Sequence, residues 1–229
     1  IEGHRDDDNV KAMLVFIESP GGGVTASQAL YDAVRSVRRK KPVVAFLASV
    51  AASGGYYVAC AADSIVAHPG TLTGSIGVIA TFLRTQELFR KIGLDVTVIK
   101  TGEFKDIGSP YRPMTDEERA YLGALLDDVY RQFLGAVSEG RGMPIERVAE
   151  LAEGRLFTGA QAAGLGLVDR LGTYEEALDM AASLAGITGE PRVVQKRKRR
   201  SLAERIIGEE VSLKGLASGE RVRLEYLIP

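Results

Sequence analysis

Val43-Val44-Ala45-Phe46-Leu47-Ala48-Ser49-Val50-Ala51-Ala52-Ser53-Gly54-Gly55-Tyr56-Tyr57-Val58-Ala59-Cys60-Ala61-Ala62 is the long uncharged stretch of this chain, and its reading decides the fold. Its length suggests a membrane span, for which about 20 apolar residues are needed. Its interior argues against one. Ser49, Ser53, two glycines and two tyrosines break it into a short strand, Val43 to Leu47, a loop, and a helix opening at Gly54. A strand that feeds a helix through a serine and two glycines is part of a buried α/β core.

The flanking sequence extends the same pattern. Val10 to Ile17 reads as a buried strand ended by Ser19-Pro20-Gly21-Gly22-Gly23, and a helix follows to about Lys40 with Leu30, Ala33, Val34 and Val37 on one face. Downstream, Ser64 to Ala67 reads as a third strand, followed by the turn-rich Pro69 to Ser75. Leu83 to Lys91 then reads as a helix, and Val96 to Lys100 as a fourth strand. Thr115-Asp116-Glu117-Glu118 has the form of a capping box opening a long helix to about Glu139, and Pro144 suits the first position of a shorter one. Strands alternating with helices imply a mostly parallel sheet covered on both faces.

Composition narrows the function classes. The chain has 229 residues, 45% of them hydrophobic and 26% charged, and a formal net charge of -1. Such a balance offers no electrostatic case for a nucleic-acid partner. The single cysteine, Cys60, rules out an internal disulfide and a cysteine-rich zinc site. No residue pattern calls for a metal or a cofactor, so none is expected. The polar, acidic start, Ile1 to Asn9, is not a signal peptide. Past Gly189 the composition changes, and Lys196-Arg197-Lys198-Arg199-Arg200 forms a basic run ahead of a tail ending Tyr226-Leu227-Ile228-Pro229. The expected organisation is one domain over 1–190 and a basic linker with tail over 191–229. The basic run reads as a solvated linker, with contact to anionic lipid as its alternative. The apolar tail is a candidate for strand addition to a neighbouring subunit or to a peptide groove.

Several residues are candidates for chemistry. Ser53, between an apolar strand and a Gly-Gly helix start, is placed either to cap the helix or to expose its hydroxyl at the mouth of the sheet. A serine becomes a nucleophile only with a base beside it. His4 lies in the polar start and His68 at a strand end before Pro69, so neither suits that role. The natural base is then a lysine, as in Ser-Lys variants of the catalytic triad. Lys105, in Thr101-Gly102-Glu103-Phe104-Lys105-Asp106, is the candidate, with a solvated loop lysine as the plain alternative. Ser75, in Thr73-Gly74-Ser75-Ile76-Gly77-Val78, is either a turn serine or a group that holds the lysine in place. Gly21 and Gly22 could offer N–H donors to an oxyanion. No Gly-Lys-Ser/Thr ending follows them, which excludes a phosphate-binding P-loop.

The order of these motifs resembles the signal peptide peptidase A (SppA) family of membrane-associated serine proteases, which share the Clp protease/crotonase fold. The matching segments are Ser19 to Gly23, Ala52-Ser53-Gly54-Gly55-Tyr56-Tyr57, Thr73 to Val78, Gly102-Glu103-Phe104-Lys105-Asp106, Ser109-Pro110-Tyr111-Arg112-Pro113-Met114-Thr115 and Phe157 to Asp169. The resemblance implies an α/β, Clp protease/crotonase-like fold of repeated β-β-α and βα units with a mostly parallel sheet. It implies Ser53 as nucleophile, Lys105 as general base and Ser75 as the group orienting it. Gly21, Gly22 and Gly54 would serve the oxyanion and the substrate backbone.

Its further implications are hydrolysis of remnant signal peptides or other peptides at the membrane through an acyl-enzyme, and a ring of identical subunits. The cell membrane is the implied location, with the catalytic part on the extracytoplasmic side. Family members normally begin with a membrane anchor and a strand before the first helix; neither is found here, so a trimmed chain is expected. Two alternatives remain: an acyl-CoA enzyme of the crotonase type, and a non-catalytic assembly subunit of the same fold.

Overall fold

The computed structural model describes residues 5–195 and 221–228. They divide into two compact units, 1–77 with 133–229, and 78–132. The basic run at 196–200 and His4 lie outside the described residues.

The first unit is built on an eight-stranded sheet. β1 (Ala12–Ser19) runs parallel to β2 (Val43–Ala52). Along its other edge β2 pairs in parallel with β3 (Ser64–Ala67) through Val44–Leu47, and then with β4 (Leu72–Gly74) through Val50–Ala52. β5 (Leu156–Thr158) joins β4 antiparallel, and β6 (Arg170–Leu171) joins β3 in parallel. β7 (Arg192–Gln195) and β8 (Arg221–Ile228) close the other side, with β8 antiparallel to both β1 and β7. The mixed α/β architecture with a parallel centre is the one the sequence pattern predicts. Its C-terminal strand is a difference. The tail proposed for strand addition elsewhere is a strand of the chain's own sheet, with Leu227 fully buried in its core.

Alternation along β1 explains the layering. Ala12 and Leu14 pack with Val44, Phe46 and Val66 against Ala177, Ala181 and Ala182 of the helix Tyr174–Leu184. Met13, Val15 and Ile17 point to the other face, where α1 (Val24–Arg38) and α2 (Gly54–Ala59) lie. Both faces are therefore dry, which is why β1 and the first half of β2 read as unbroken apolar runs. The buried face of α1 is Ser27, Tyr31, Val34 and Val37, so Ser27 and Tyr31 take places that Leu30 and Ala33 were expected to fill. Tyr31 stacks on Tyr57, and Tyr57 on Phe133, with ring centroids 5.1 and 5.0 Å apart.

Two elements depart from expectation near the motifs. β2 does not end at Leu47 but continues to Ala52, directly against Ser53, and the turn-rich segment after Pro69 contains β4. Thr71 and Thr73 explain why such polar residues sit in a sheet. Their hydroxyls donate to the carbonyl oxygens of Ala48 and Ala51, each at 2.6 Å, so the buried side chains are satisfied by the strand beside them.

The second unit holds a short helix, α3 (Gln86–Lys91), a 3-10 turn (Glu103–Asp106), and the first part of α4 (Asp116–Arg141). The fourth strand expected over Val96–Lys100 is absent. Residues 94–100 have no regular secondary structure and no sheet partner among the described residues, and Val96, Val98 and Ile99 are exposed. α4 opens with the expected capping box: the Thr115 hydroxyl accepts from Glu118 N–H, and the Glu118 carboxylate accepts from Thr115 N–H.

Candidate active site

Ser53 sits between the last residue of β2 and the first of α2, with φ 51° and ψ −120°. A non-glycine residue in that region is strained, at a cost of about 1–3 kcal/mol, and survives only where its surroundings impose it. Ordinary helix caps have extended backbone and a side-chain oxygen bonded to the first turn. Ser53 has neither, since no cap bond runs from its side chain and φ is positive. The plain capping role considered for it is therefore not what the structure contains. A serine on a sharp, strained strand-to-helix turn is the arrangement that lifts a nucleophile's Oγ clear of the backbone.

The turn is held from three sides. Ser53 N–H donates to the Gly74 carbonyl at 2.8 Å, and Tyr57 N–H donates to the Ser53 carbonyl at 2.9 Å. Gly21 presses on it from the end of β1. A Cβ at Gly21 would lie 2.8 Å from Ser53 Cβ and 3.2 Å from its Oγ, and Gly21 itself has φ +128°. No other residue type fits there. Ser19 Oγ fixes this glycine by accepting from Gly21 N–H at 3.2 Å and donating to Gly21 O at 3.1 Å.

The two glycine turns meet face to face. A Cβ on Gly54 would lie 3.2 Å from the nitrogen of Gly22 and 2.3 Å from Ser27 Oγ. Ser27 in turn donates to the Gly23 carbonyl at 3.2 Å, which ties the glycine turn to α1. The N–H groups of Gly22 and Gly54 donate to no acceptor among the described residues. Two unspent donors beside a strained serine hydroxyl form a cradle for a developing negative charge. Gly21, whose N–H is already bonded, contributes closeness rather than a donor.

Ser75 lies one residue beyond the carbonyl that Ser53 bonds. Its own φ is 51°, and its N–H donates to the Arg155 carbonyl at 2.7 Å. Ser53, Ser75, Gly21, Gly22 and Gly54 thus all belong to the first unit, at the ends of β1, β2 and β4. Lys105 belongs to the second, on the 3-10 turn, exposed and without an ion-pair partner among the described residues.

Other nucleophiles are disarmed. The Cys60 thiol is buried, and burial pushes its pKa up to about 12, so it carries no thiolate near neutrality. Tyr56, fully buried, donates its hydroxyl to the Leu167 carbonyl at 2.8 Å and anchors α2. Among the described residues no cluster of His, Cys, Asp and Glu has a metal-binding arrangement, and no helix is long and apolar enough to cross a membrane.

The model of peptidase family S49 matches residues 35–188, which include Ser53, Ser75 and Lys105. The chain belongs to peptidase family S49. Its similarity extends to named relatives. A Synechocystis protein called "Putative protease slr0021" is 47% identical over 182 residues, 80% of this chain and 66% of its own length. The "Serine protease SPPA, chloroplastic" of Arabidopsis thaliana is 34% identical over 223 residues, 93% of this chain and 33% of its own. "Protease 4" of Haemophilus influenzae is 33% identical over 181 residues, 79% of this chain and 29% of its own. The chain spans less than two thirds of the length of each.

Sequence reasoning overlooked one cluster beside Lys105. Arg112 donates to Asp106 Oδ2 through Nε and to Oδ1 through Nη2, both at 2.7 Å, and to Glu118 Oε2 through Nη1 at 2.8 Å. Lys100 Nζ adds a bond to Asp106 Oδ1 at 2.6 Å. These bonds hold both carboxyls well below the usual range, Glu118 at about 2. Asp106 and Arg112 stand in the quoted motif segments, but charges six residues apart carry no helical or strand periodicity that would pair them.

Proposed function

We propose that this S49 peptidase is a serine endopeptidase in which Ser53 is the nucleophile and Lys105 the general base. The observation that carries this reading is the strained backbone of Ser53, with its hydroxyl unused for capping and the free N–H groups of Gly22 and Gly54 beside it. In the reaction, the neutral amine of Lys105 takes the Ser53 Oγ proton as Oγ attacks the scissile carbonyl carbon. The resulting oxyanion is met by Gly22 and Gly54 N–H. The ammonium of Lys105 then returns the proton to the departing amine, leaving an acyl-enzyme that water hydrolyses with the lysine again as base. Ser75 is assigned the role of orienting the lysine through its hydroxyl.

The proposed substrates are extended peptides with small or apolar side chains, remnant signal peptides at a membrane among them. The likeness to the relatives named as SPPA and protease 4 supports this class. Assembly into a ring of identical subunits is supported by apolar side chains left in solvent in the second unit, with Ile79, Leu83 and Ile99 78–96% exposed. The crotonase reading calls for an acidic residue as acid or base. Glu18, which precedes the glycine turn, instead accepts from Ser49 N–H at 2.8 Å.

A fluorophosphonate probe followed by peptide mapping tests the assignment. The expected result is a single adduct on Ser53 and none on a Ser53→Ala protein. Equal labelling of both proteins would remove Ser53 from the mechanism.

A further inference from the structure

The Arg112 cluster lies on the segment that carries the proposed base. Lys105 is followed directly by Asp106, a carboxylate next to it on the same turn. The structure gives that carboxylate to other cations. Asp106 Oδ1 accepts from Lys100 and Arg112, and Oδ2 accepts from Arg112 Nε alone among the described residues. The guanidinium is shared with Glu118, which is nearly inaccessible to solvent and is fixed by the capping box of α4. Lys100 and Arg112 pair with Asp106 and Glu118, and the other two charges of the turn, Glu103 and Lys105, have no ion-pair partner among the described residues. Phe104, on the other side of Lys105, stacks on Tyr121 of α4 with centroids 5.3 Å apart. The 3-10 turn is thus pinned on both sides of the lysine, to one helix.

We propose that Arg112 is a positioning residue for Lys105: it withholds the Asp106 carboxylate from the lysine and ties the lysine-bearing turn to the start of α4. The inference rests on the reading of Lys105 as the base. A base lysine must lose its proton near the working pH, and an ion pair with a carboxylate opposes that loss. The charged groups around the turn are Glu103 and Asp106 on the turn itself, Lys100 before it, Arg112 after it, and Glu118 from α4. Removing Arg112 would free Asp106 Oδ2, the other oxygen being occupied by Lys100, and also Glu118 Oε1, while Thr115 N–H still holds Glu118 Oε2.

The test is the pH dependence of peptide hydrolysis by wild type, Arg112→Gln, the double variant Arg112→Gln with Asp106→Asn, and Lys105→Ala. A carboxylate within about 4–6 Å moves a partner's pKa by about 1–3 units. The rising limb of Arg112→Gln is therefore expected to move to higher pH by at least about one unit. Below its midpoint that means an activity loss of about tenfold per unit. The double variant, which lacks the offending carboxylate, is expected to return to the wild-type midpoint. If Arg112→Gln does not fold, Arg112→Lys is read the same way, since one ammonium replaces a fork that serves two carboxylates. A uniform loss of activity at every pH with an unmoved midpoint would overturn the proposal, as would a double variant displaced as far as the single one. Full activity in Lys105→Ala would instead overturn the assignment of the base.

Discussion

The backbone of Ser53 offers a stability measurement independent of any substrate. Replacing Ser53 by Ala removes the hydroxyl but keeps the strained φ of 51° and ψ of −120°. Replacing it by Gly removes both the hydroxyl and the cause of the strain. The strain relieved is about 1–3 kcal/mol. Against it stands the extra unfolded-chain freedom of Gly relative to Ala, about 0.5–1 kcal/mol. The net advantage of Ser53→Gly over Ser53→Ala is then about 0–2.5 kcal/mol, centred on about 1 kcal/mol. For a chain of this size the central value corresponds to a melting temperature higher by about 2–4 °C. The ordinary expectation at a strand-helix junction is the reverse, because Gly weakens elements wherever the backbone is relaxed. Calorimetric or circular-dichroism melts of the two variants under identical conditions decide the matter. If Ser53→Ala is as stable as Ser53→Gly, or more so, the serine is not strained and the reasoning from its backbone fails.

Two further predictions concern the surroundings of the site. Gly21→Ala places a Cβ 2.8 Å from Ser53 Cβ in a backbone region reserved for glycine, whereas Gly23 has φ −63° and open space around it. The first variant is expected to lose about 1–3 kcal/mol of stability and most of its activity, and the second to keep wild-type stability within about 1 kcal/mol; equal melts for the two would contradict the packing described. The Glu118 carboxyl has a folded pKa of about 2 against an ordinary value near 4.5, so its contribution is fully present above about pH 4.5 and fades as the pH falls towards 2. The melting-temperature gap between wild type and Glu118→Gln should accordingly be wide at pH 7 and close on acidification, and a gap that does not change with pH would refute the pairing with Arg112.

Much of the scaffold was legible because it is dry on both faces. β1, the first half of β2, and β3 are continuous apolar runs bounded by Pro and Gly, and they fold where those runs fall. The second half of β2 and all of β4 were read as loop because Ser49, Thr71, Thr73 and Gly74 carry turn chemistry. The hydroxyls of Thr71 and Thr73 are satisfied by the strand beside them, a tertiary fact that no local pattern announces. Val96–Lys100 shows the opposite error. Its β-branched composition predicts a strand, but a strand needs a neighbour, and none pairs with it in its own unit. At the site, the residue types and their order were readable, and so was the family. The positive φ of Ser53 and the closeness of Gly21 to its Oγ were not, since they depend on segments far apart in sequence, and neither was the Arg112 cluster, whose six-residue spacings fit no helical periodicity.

The central claim is that Ser53 and Lys105 act together, and its most direct test is hydrolysis of a fluorogenic peptide with an apolar residue before the scissile bond. Wild type, Ser53→Ala and Lys105→Ala would be compared from neutral to alkaline pH. The account predicts wild-type activity that rises as an amine loses its proton, and no measurable activity in either variant. Turnover by Ser53→Ala at the wild-type rate would contradict it outright.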